Sequence, residues 1–223
     1  MGTLLSLAAY AAWAFFVARL CRHGVLWVRR RGAAETGETT VAGVVMAFVD
    51  VVFLRRLFLV NKVLWIGEWV FHVSFVLVLL RHLRFFFDPV PGWVAAVQTP
   101  GVYAGYALPV SLAYILLVRL TLERRKYVSS YNLFLTGTLF LIGLTGVLQR
   151  TVLWTDVVAT KEFARGILAL SPAGAPQNPV FLAHFVLVLV LLVTLPTHIF
   201  TAPFVTYEAW RQEEGVKRLL HDD

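Results

Sequence analysis

Residues 63–87 read VLWIGEWVFHVSFVLVLLRHLRFFF, and this stretch decides the class of the protein. It is long enough to cross a bilayer, which takes about 20 mainly apolar residues in a helix. It nevertheless contains two histidines, His72 and His82. A polar ring inside a membrane span must be bonded or ligated because no water solvates it there, so such a residue marks a functional site.

A second apolar stretch, residues 180–204, has the same feature. It contains His184 and His198. Two spans with two histidines each predict two sites built across one pair of helices. Two b-type haems, each held by one imidazole from each helix, are the cofactors that fit this pattern.

The composition of the whole chain is that of a membrane protein. Hydrophobic residues make up 59% of it and the mean hydropathy is +0.74, whereas soluble domains have roughly 45–50% apolar residues. We therefore predict one domain over residues 1–223, an all-α bundle of five transmembrane helices. The predicted spans lie at about residues 3–27, 63–87, 102–118, 131–148 and 180–204.

Two further segments are predicted to be surface helices on opposite sides of the membrane. Residues 39–60 are apolar but interrupted by charges, which favours an interfacial helix on the cytoplasmic side. Residues 153–170 resemble a second one outside, with Trp154 as an interface anchor. Both are candidate docking surfaces for other subunits.

The distribution of basic residues predicts the orientation. Fifteen of the 20 Lys and Arg lie in the first and third loop regions, counted with the adjoining ends of the spans, and in the C-terminal tail. The positive-inside rule then places the N-terminus outside and the C-terminus in the cytoplasm. The net charge of +7 reflects this topology and contact with lipid headgroups, and it is poor support for nucleic-acid binding.

Cysteine usage restricts the redox chemistry. The single Cys21 excludes an internal disulfide, and there is no Cys-x-x-Cys-His motif for covalent haem and no cysteine set for an iron–sulfur cluster. Electrons handled by this chain must therefore pass to another subunit or to a quinone.

The predicted topology determines how the four histidines pair. The second and fifth spans run in opposite directions, so His72 and His198 lie at one depth and His82 and His184 at the other. The rise from His72 to His82 is about 15 Å, and the rise from His184 to His198 is about 21 Å. Helix tilt, side-chain reach or a kink at Pro196 can absorb the difference. We predict an inner haem iron on His72 and His198, and an outer one on His82 and His184.

Charged residues near the histidines are candidate supporting groups. Arg81 and Arg84 flank His82 and could bind the propionates of the outer haem, and Lys62 could serve the inner haem; interfacial anchoring is the alternative for each. Glu68 lies one turn before His72 and could bond the imidazole, form an ion pair with Lys62 or take part in quinone protonation. We rank the ion pair first.

With these features the chain resembles a known family. This is the gamma (cytochrome b) subunit of respiratory nitrate reductase and its relatives in transmembrane redox complexes of sulfate-reducing prokaryotes. The matching residues are Phe71-His72, His82, His184 and the run His198-Ile199-Phe200-Thr201-Ala202-Pro203. In size the chain looks most like the small cytochrome b subunit of the high-molecular-weight cytochrome complex. The resemblance implies five spans, an outside N-terminus and two b haems between the second and fifth spans.

The resemblance also implies partners and a location. The outer partner would be menaquinol or a periplasmic multihaem cytochrome c, and the inner partner a cytoplasmic iron–sulfur subunit. The expected location is the cytoplasmic membrane of a bacterium or an archaeon, as a multi-pass protein. The predicted function is electron transfer across this membrane, and no residue of the chain suggests catalysis by the chain alone.

Two other functions remain open at the level of sequence. The chain could be a cofactor-free membrane anchor or assembly subunit, in which the histidines only join helices. It could also be a proton-translocating transporter that uses Glu68 and the histidines. The absence of broken helices and inverted repeats from the sequence disfavours the transporter.

Overall fold

A computed structural model describes residues 1–31, 41–121 and 129–219. Within these ranges the regular structure is helical, and a 3₁₀ turn, Leu83–Phe85, extends the fourth helix. The helices are α1 (Gly2–Arg31), α2 (Val41–Phe53), α3 (Arg55–Val60), α4 (Lys62–His82), α5 (Gly92–Ala96), α6 (Gln98–Thr121), α7 (Ser130–Thr151), α8 (Val157–Leu168) and α9 (Pro179–Leu219).

Five of these helices are long and apolar enough to cross a membrane, which confirms the predicted all-α class and the number of spans. The segments are Gly2–Arg29, Lys62–Phe85, Gln98–Thr121, Ser130–Thr151 and Pro179–His198. A helix satisfies its own backbone hydrogen bonds, so its backbone needs no water as a partner within lipid. Which end of the bundle faces the cytoplasm stays a prediction.

Two predicted segments differ from the observed ones. The fifth span was expected to end near residue 204, but α9 continues without interruption through Pro196 and Pro203 to Leu219. The predicted surface helix at residues 39–60 is described from residue 41 onward, and residues 39 and 40 lie outside the described residues. The described part is two helices, because Leu54 between them has a left-handed φ of 51°, which is uncommon for a residue with a side chain. The predicted segment at residues 153–170 contains α8.

The helices pack in a definite order. Helix α4 packs on α6, α6 on α7 and α7 on α9, while α1 and α2 lie against α9. In the described ranges, no extensive backbone packing joins α4 directly to α9. Side chains from all four helices of this arc share one core, formed by Leu64, Phe71, Leu108, Leu112, Ile115, Val118, Leu135, Leu139, Ile142 and Leu191.

Glycines explain why α6 can approach both of its neighbours. A Cβ on Gly67 of α4 would lie 2.6 Å from Cδ1 of Tyr114 on α6. A Cβ on Gly143 of α7 would lie 3.3 Å from Cδ2 of Leu108. Small residues at such contacts permit close helix packing in membranes. Helix α6 therefore packs closely between α4 and α7.

The bundle has two distinct ends. At the first, Tyr10 of α1 donates a hydrogen bond to the Ile167 carbonyl of α8 at 3.1 Å. Asp88, beyond the end of α4, pairs with Arg165 at 2.8 Å and Lys161 at 3.3 Å. We call this the His82 end, and the opposite one the His72 end. The sequence predicts that the His82 end lies outside.

A buried carboxylate fastens α2 to the extension of α9 at the His72 end. Asp50 is 4% exposed and accepts hydrogen bonds from Trp210 Nε1 at 2.7 Å and Arg56 Nε at 3.0 Å. Arg56 also pairs with Glu213 at 3.1 Å. Burial alone would lower the pKa of Arg56, but its bonds to the two carboxylates raise that pKa overall. This network explains why α9 stays helical beyond the predicted span.

We predict that Asp50→Ala lowers the free energy of unfolding by about 3 kcal/mol, because loss of a buried partner leaves charged and polar groups unpaired. The matched control is Asp88→Ala. It removes a carboxylate that pairs with Arg165 and Lys161 but is 51% exposed. Its cost should stay below about 1 kcal/mol. Thermal unfolding followed by tryptophan fluorescence measures both, and equal midpoints for the two variants would contradict the assignment of Asp50 as an anchor.

Candidate functional site

Helix α4 orients the rings of His72 and His82 in the same way. Nδ1 of His72 lies 2.6 Å from the Glu68 carbonyl oxygen, and Nδ1 of His82 lies 2.7 Å from that of Val78. A carbonyl oxygen only accepts hydrogen bonds, so each Nδ1 carries the proton and donates it. Nε2 of each ring therefore keeps its lone pair and is the nitrogen that can bind a metal.

His184 of α9 reaches the same protonation state through a different partner. Its Nδ1 lies 3.0 Å from the Thr145 hydroxyl of α7. That hydroxyl is 2.8 Å from the Leu141 carbonyl oxygen, to which it donates, so it accepts the proton of the imidazole. The neighbouring Gly146 lies against the ring, since a Cβ there would be 3.4 Å from Cε1 of His184. The sequence predicted Gly146 only as a glycine that permits close helix packing, and it did not predict Thr145.

The structure brings the four histidines into two groups. His184 lies within electrostatic range of His82, and His198 lies within range of His72. These are the pairs that the topology predicts, although metal binding by either pair stays a prediction. The rings are partly exposed, and the His72 side chain is 43% exposed.

An apolar layer separates the two pairs. Phe75 of α4 and Leu187 of α9 pack against the core cluster, together with the buried Leu191. In sequence, Phe75 lies between the two histidines of α4, and the two leucines lie between those of α9. The polar groups of the two histidine pairs are therefore insulated from each other by hydrocarbon.

Glu68 forms an ion pair, but its partner is not the one that we expected. Its Oε1 lies 2.5 Å from Nη2 of Arg119, at the end of α6, so the predicted pair with Lys62 was wrong. Glu68 and Arg119 are 12% and 16% exposed. Oε2 of Glu68 is 4.0 Å from Nδ1 of His72, and both Glu68 and Arg119 interact electrostatically with His198. An ion pair without net charge thus lies beside His72 and His198.

Helices α1 and α7 support the residues that precede His198. Arg19 donates a hydrogen bond to Thr197 Oγ1 at 3.3 Å. Tyr131 donates one to the Thr194 carbonyl at 2.8 Å, one turn before His198. These bonds fix α9 at the depth of His198. The sequence analysis missed both residues, and the only available signal was a polar side chain at a matching depth in a neighbouring span.

The three predicted propionate ligands have different surroundings. Arg81 and Arg84 interact electrostatically with His82, which lies between them in sequence. Lys62 is at the start of α4, ten residues and about 15 Å before His72, with Nζ 5.3 Å from the centre of the Phe58 ring. A role in cofactor binding stays a prediction for all three.

Comparisons with known proteins support the cytochrome b part of the resemblance. Two similar proteins are each named as an Hdr-like menaquinol oxidoreductase cytochrome b-like subunit. The one from Archaeoglobus fulgidus is 32% identical over 149 residues, which covers 60% of this chain and 45% of that protein. The one from Archaeoglobus profundus is 29% identical over 150 residues, covering 60% and 44%.

The chain spans less than half the length of these curated relatives. No family model matches it, and no solved structure matches it. The specific likeness to the nitrate reductase subunit therefore stays a prediction, while the likeness to a cytochrome b-like subunit has support.

We predict that the pair of Glu68 and Arg119 stabilises the protein only as a unit. Glu68→Gln and Arg119→Gln should each lower the free energy of unfolding by about 3 kcal/mol, because each leaves one charge unpaired in a low-dielectric region. The double variant should lose less than the sum of the two. Thermal unfolding of the four proteins gives the coupling. Additive losses would contradict a direct ion pair.

Proposed function

We propose that this chain is the diheme cytochrome b subunit of a membrane-bound menaquinol oxidoreductase complex, and that it carries electrons between the two faces of the membrane. The observation that carries the proposal is the shared geometry of His72 and His82. In each ring, Nδ1 is fixed on the carbonyl four residues earlier, so Nε2 keeps the lone pair with which it would hold a haem iron. Haem b takes two such imidazoles and supplies reversible one-electron chemistry when bound.

The donor set supports a haem over a zinc or di-iron centre. In the part of the chain that the structure describes, no three side chains of His, Cys, Asp or Glu come together as metal ligands. Each candidate centre is instead a pair of imidazoles contributed by two helices. A structural zinc site needs four ligands and a di-iron site several carboxylates.

The space around Gly105 of α6 supports a large planar ligand. Apart from its two chain neighbours and the nearby backbone of its own helix, no heavy atom lies within 4 Å of the position that a Cβ on Gly105 would take. The residue lies four positions after Gly101 and three before Leu108, both of which are buried, so it is on the interior face of its helix. An interior glycine with open space beside it allows a flat group to lie against the backbone.

On this proposal, the residues of the chain have distinct tasks. The four histidines bind iron, and the Thr145 hydroxyl and two backbone carbonyls hold three of their rings in the ligating tautomer. The layer that contains Phe75 and Leu187 excludes water between the centres. Electrons would pass between the centre at His82 and His184 and the centre at His72 and His198.

The proposed partners follow from the names of the relatives and from the resemblance. Menaquinol or a periplasmic multihaem cytochrome c would exchange electrons at the outer centre, and a cytoplasmic iron–sulfur subunit at the inner one. Apolar side chains that α2 and α8 leave exposed, such as Phe48 and Val158, are candidate contacts with these subunits. The proposed location is the cytoplasmic membrane of a bacterium or archaeon, with the His82 end outside.

The pairing of the histidines can be tested by combining substitutions. We predict about two haems b per wild-type chain and about one in each single His→Ala variant, because each haem needs both ligands. His82→Ala/His184→Ala should retain about one haem, since both changes affect the same centre. His72→Ala/His184→Ala should retain none. The pyridine haemochrome assay on purified protein gives these counts.

His23→Ala is the control for the pairing experiment, because His23 lies on α1 outside the four candidate ligands. One haem in His72→Ala/His184→Ala together with none in His82→Ala/His184→Ala would overturn the proposed pairing. Wild-type protein that is folded, assembled with its partners and free of haem would overturn the cytochrome proposal and favour the cofactor-free anchor.

A second prediction concerns the glycine of α6. Gly105→Phe should reduce the haem content below two per chain, because the ring would fill the open space on the interior face. Gly137→Phe is the matched control. A Cβ on Gly137 also meets no atom within 4 Å, but Gly137 shares its face with the exposed Leu141 and Leu144. Haem content and thermal stability are measured together, and equal haem content in the two variants would contradict the assignment.

A further inference from the structure

Three arginines gather at the His82 end. Arg81 is in the last turn of α4, and Arg84 is three residues later in the 3₁₀ turn that follows it. The two interact electrostatically with each other and with Arg150. Arg150 lies in the last turn of α7, four residues after Gly146, which lies against the His184 ring. We name Arg81, Arg84 and Arg150 the outer arginine cluster. It borders the proposed outer haem centre from two helices.

The outer arginine cluster has no counter-charge among the described residues. No ion pair there includes any of its three members. At this end Asp88 already pairs with Lys161 and Arg165, and Asp156 accepts hydrogen bonds from the first amides of α8. Like charges that share a site repel one another, and an anion bound between them would offset this repulsion.

Arg81 is built into the helix packing rather than free in solvent. A Cβ on Gly101 of α6 would lie 2.8 Å from both Cβ and Cδ of Arg81, so the side chain passes directly over this glycine. Its Nε is buried and has no hydrogen-bond partner among the described residues. A guanidinium held in this way is pre-organised for a planar carboxylate, which it binds through two parallel hydrogen bonds.

The His72 end differs in this respect. Its buried guanidinium, Arg119, already has the carboxylate of Glu68 as a partner. Arg19, at the same end, donates a hydrogen bond to Thr197. Among the described residues, a carboxylate thus pairs with a buried arginine at the His72 end, and none pairs with the outer arginine cluster. A haem placed on His82 and His184 would bring two carboxylates to one edge of its ring.

We propose that Arg81, Arg84 and Arg150 together bind the two propionate carboxylates of the outer haem, and that Arg150 is the member that joins α7 to the cofactor. The inference rests on the proposed function. The sequence suggested two members of this site; the third member and the missing counter-charge come from the structure. Three cations around two carboxylates leave a net positive charge, which favours the reduced haem and raises the midpoint potential of the outer centre.

The experiment isolates the outer haem in the holoprotein by His72→Ala and then adds Arg150→Gln or Arg150→Lys. Spectroelectrochemical titration gives the midpoint potential, and resonance Raman spectra give the bending modes of the propionates. We expect Arg150→Gln to lower the potential and to weaken haem retention about tenfold, as for other residues that support metal ligands. Arg150→Lys should keep most of the potential but still change the propionate modes, because Lys cannot form the bidentate pair.

The matched control is Arg22→Gln, which removes the same charge from an exposed position on α1, nearer the His72 end. It should leave both readouts unchanged. An outer haem whose potential and propionate modes are the same in Arg150→Gln as in its parent would overturn the inference. So would native mass spectrometry that shows loss of an anionic lipid from Arg150→Gln with an unchanged haem spectrum. Wild-type protein without haem would instead overturn the proposed function itself.

Discussion

The separation between α4 and α9 is the constraint on which the rest of the structure depends. The two helices that carry the histidines are joined through α6 and α7 and not by extensive contact between their own described backbones. Gly67 of α4 and Gly143 of α7 bring α6 close to both of these helices, so the small residues lie where α6 meets its two neighbours. Large ligands and apolar side chains can then share the space between the two histidine helices.

Polar groups inside such a bundle must be satisfied without disturbing the helices, and the histidines of α4 show how this is done. A backbone carbonyl oxygen has two lone pairs, so the oxygens of Glu68 and Val78 can accept from an imidazole while they keep their helical bonds. The same bond gives the N–H of the ring a hydrogen-bond partner within the bundle and fixes the orientation of the ring. For His184 of α9, the partner is the Thr145 hydroxyl of the neighbouring helix α7, so helix packing determines the orientation of this ring.

The features that the sequence predicted are those that depend on local pattern or on topology. Hydropathy predicted the five spans, and the antiparallel course of the second and fifth spans predicted which histidines would meet. Contacts between distant residues were not predictable in this way. Glu68 and Arg119 are 51 residues apart, and Lys62 was the nearer cation in sequence. The extension of α9 was missed because its residues are more polar, and its anchor, Asp50, is 160 residues before Trp210.

The two candidate centres share a ligand set but differ in the charges around them. At His72 and His198 the buried arginine is neutralised by Glu68, so the local field of this pair is that of a dipole and falls off rapidly with distance. At His82 and His184 three arginines interact electrostatically with one another and form no ion pair with a described carboxylate, so a bound anion would offset their repulsion. Bis-imidazole ligation alone would give two haems similar properties, whereas the surrounding charges and burial tune each one separately. In a chain that conducts electrons across a membrane, residues that do not contact the iron can therefore determine which of two haems has the higher midpoint potential.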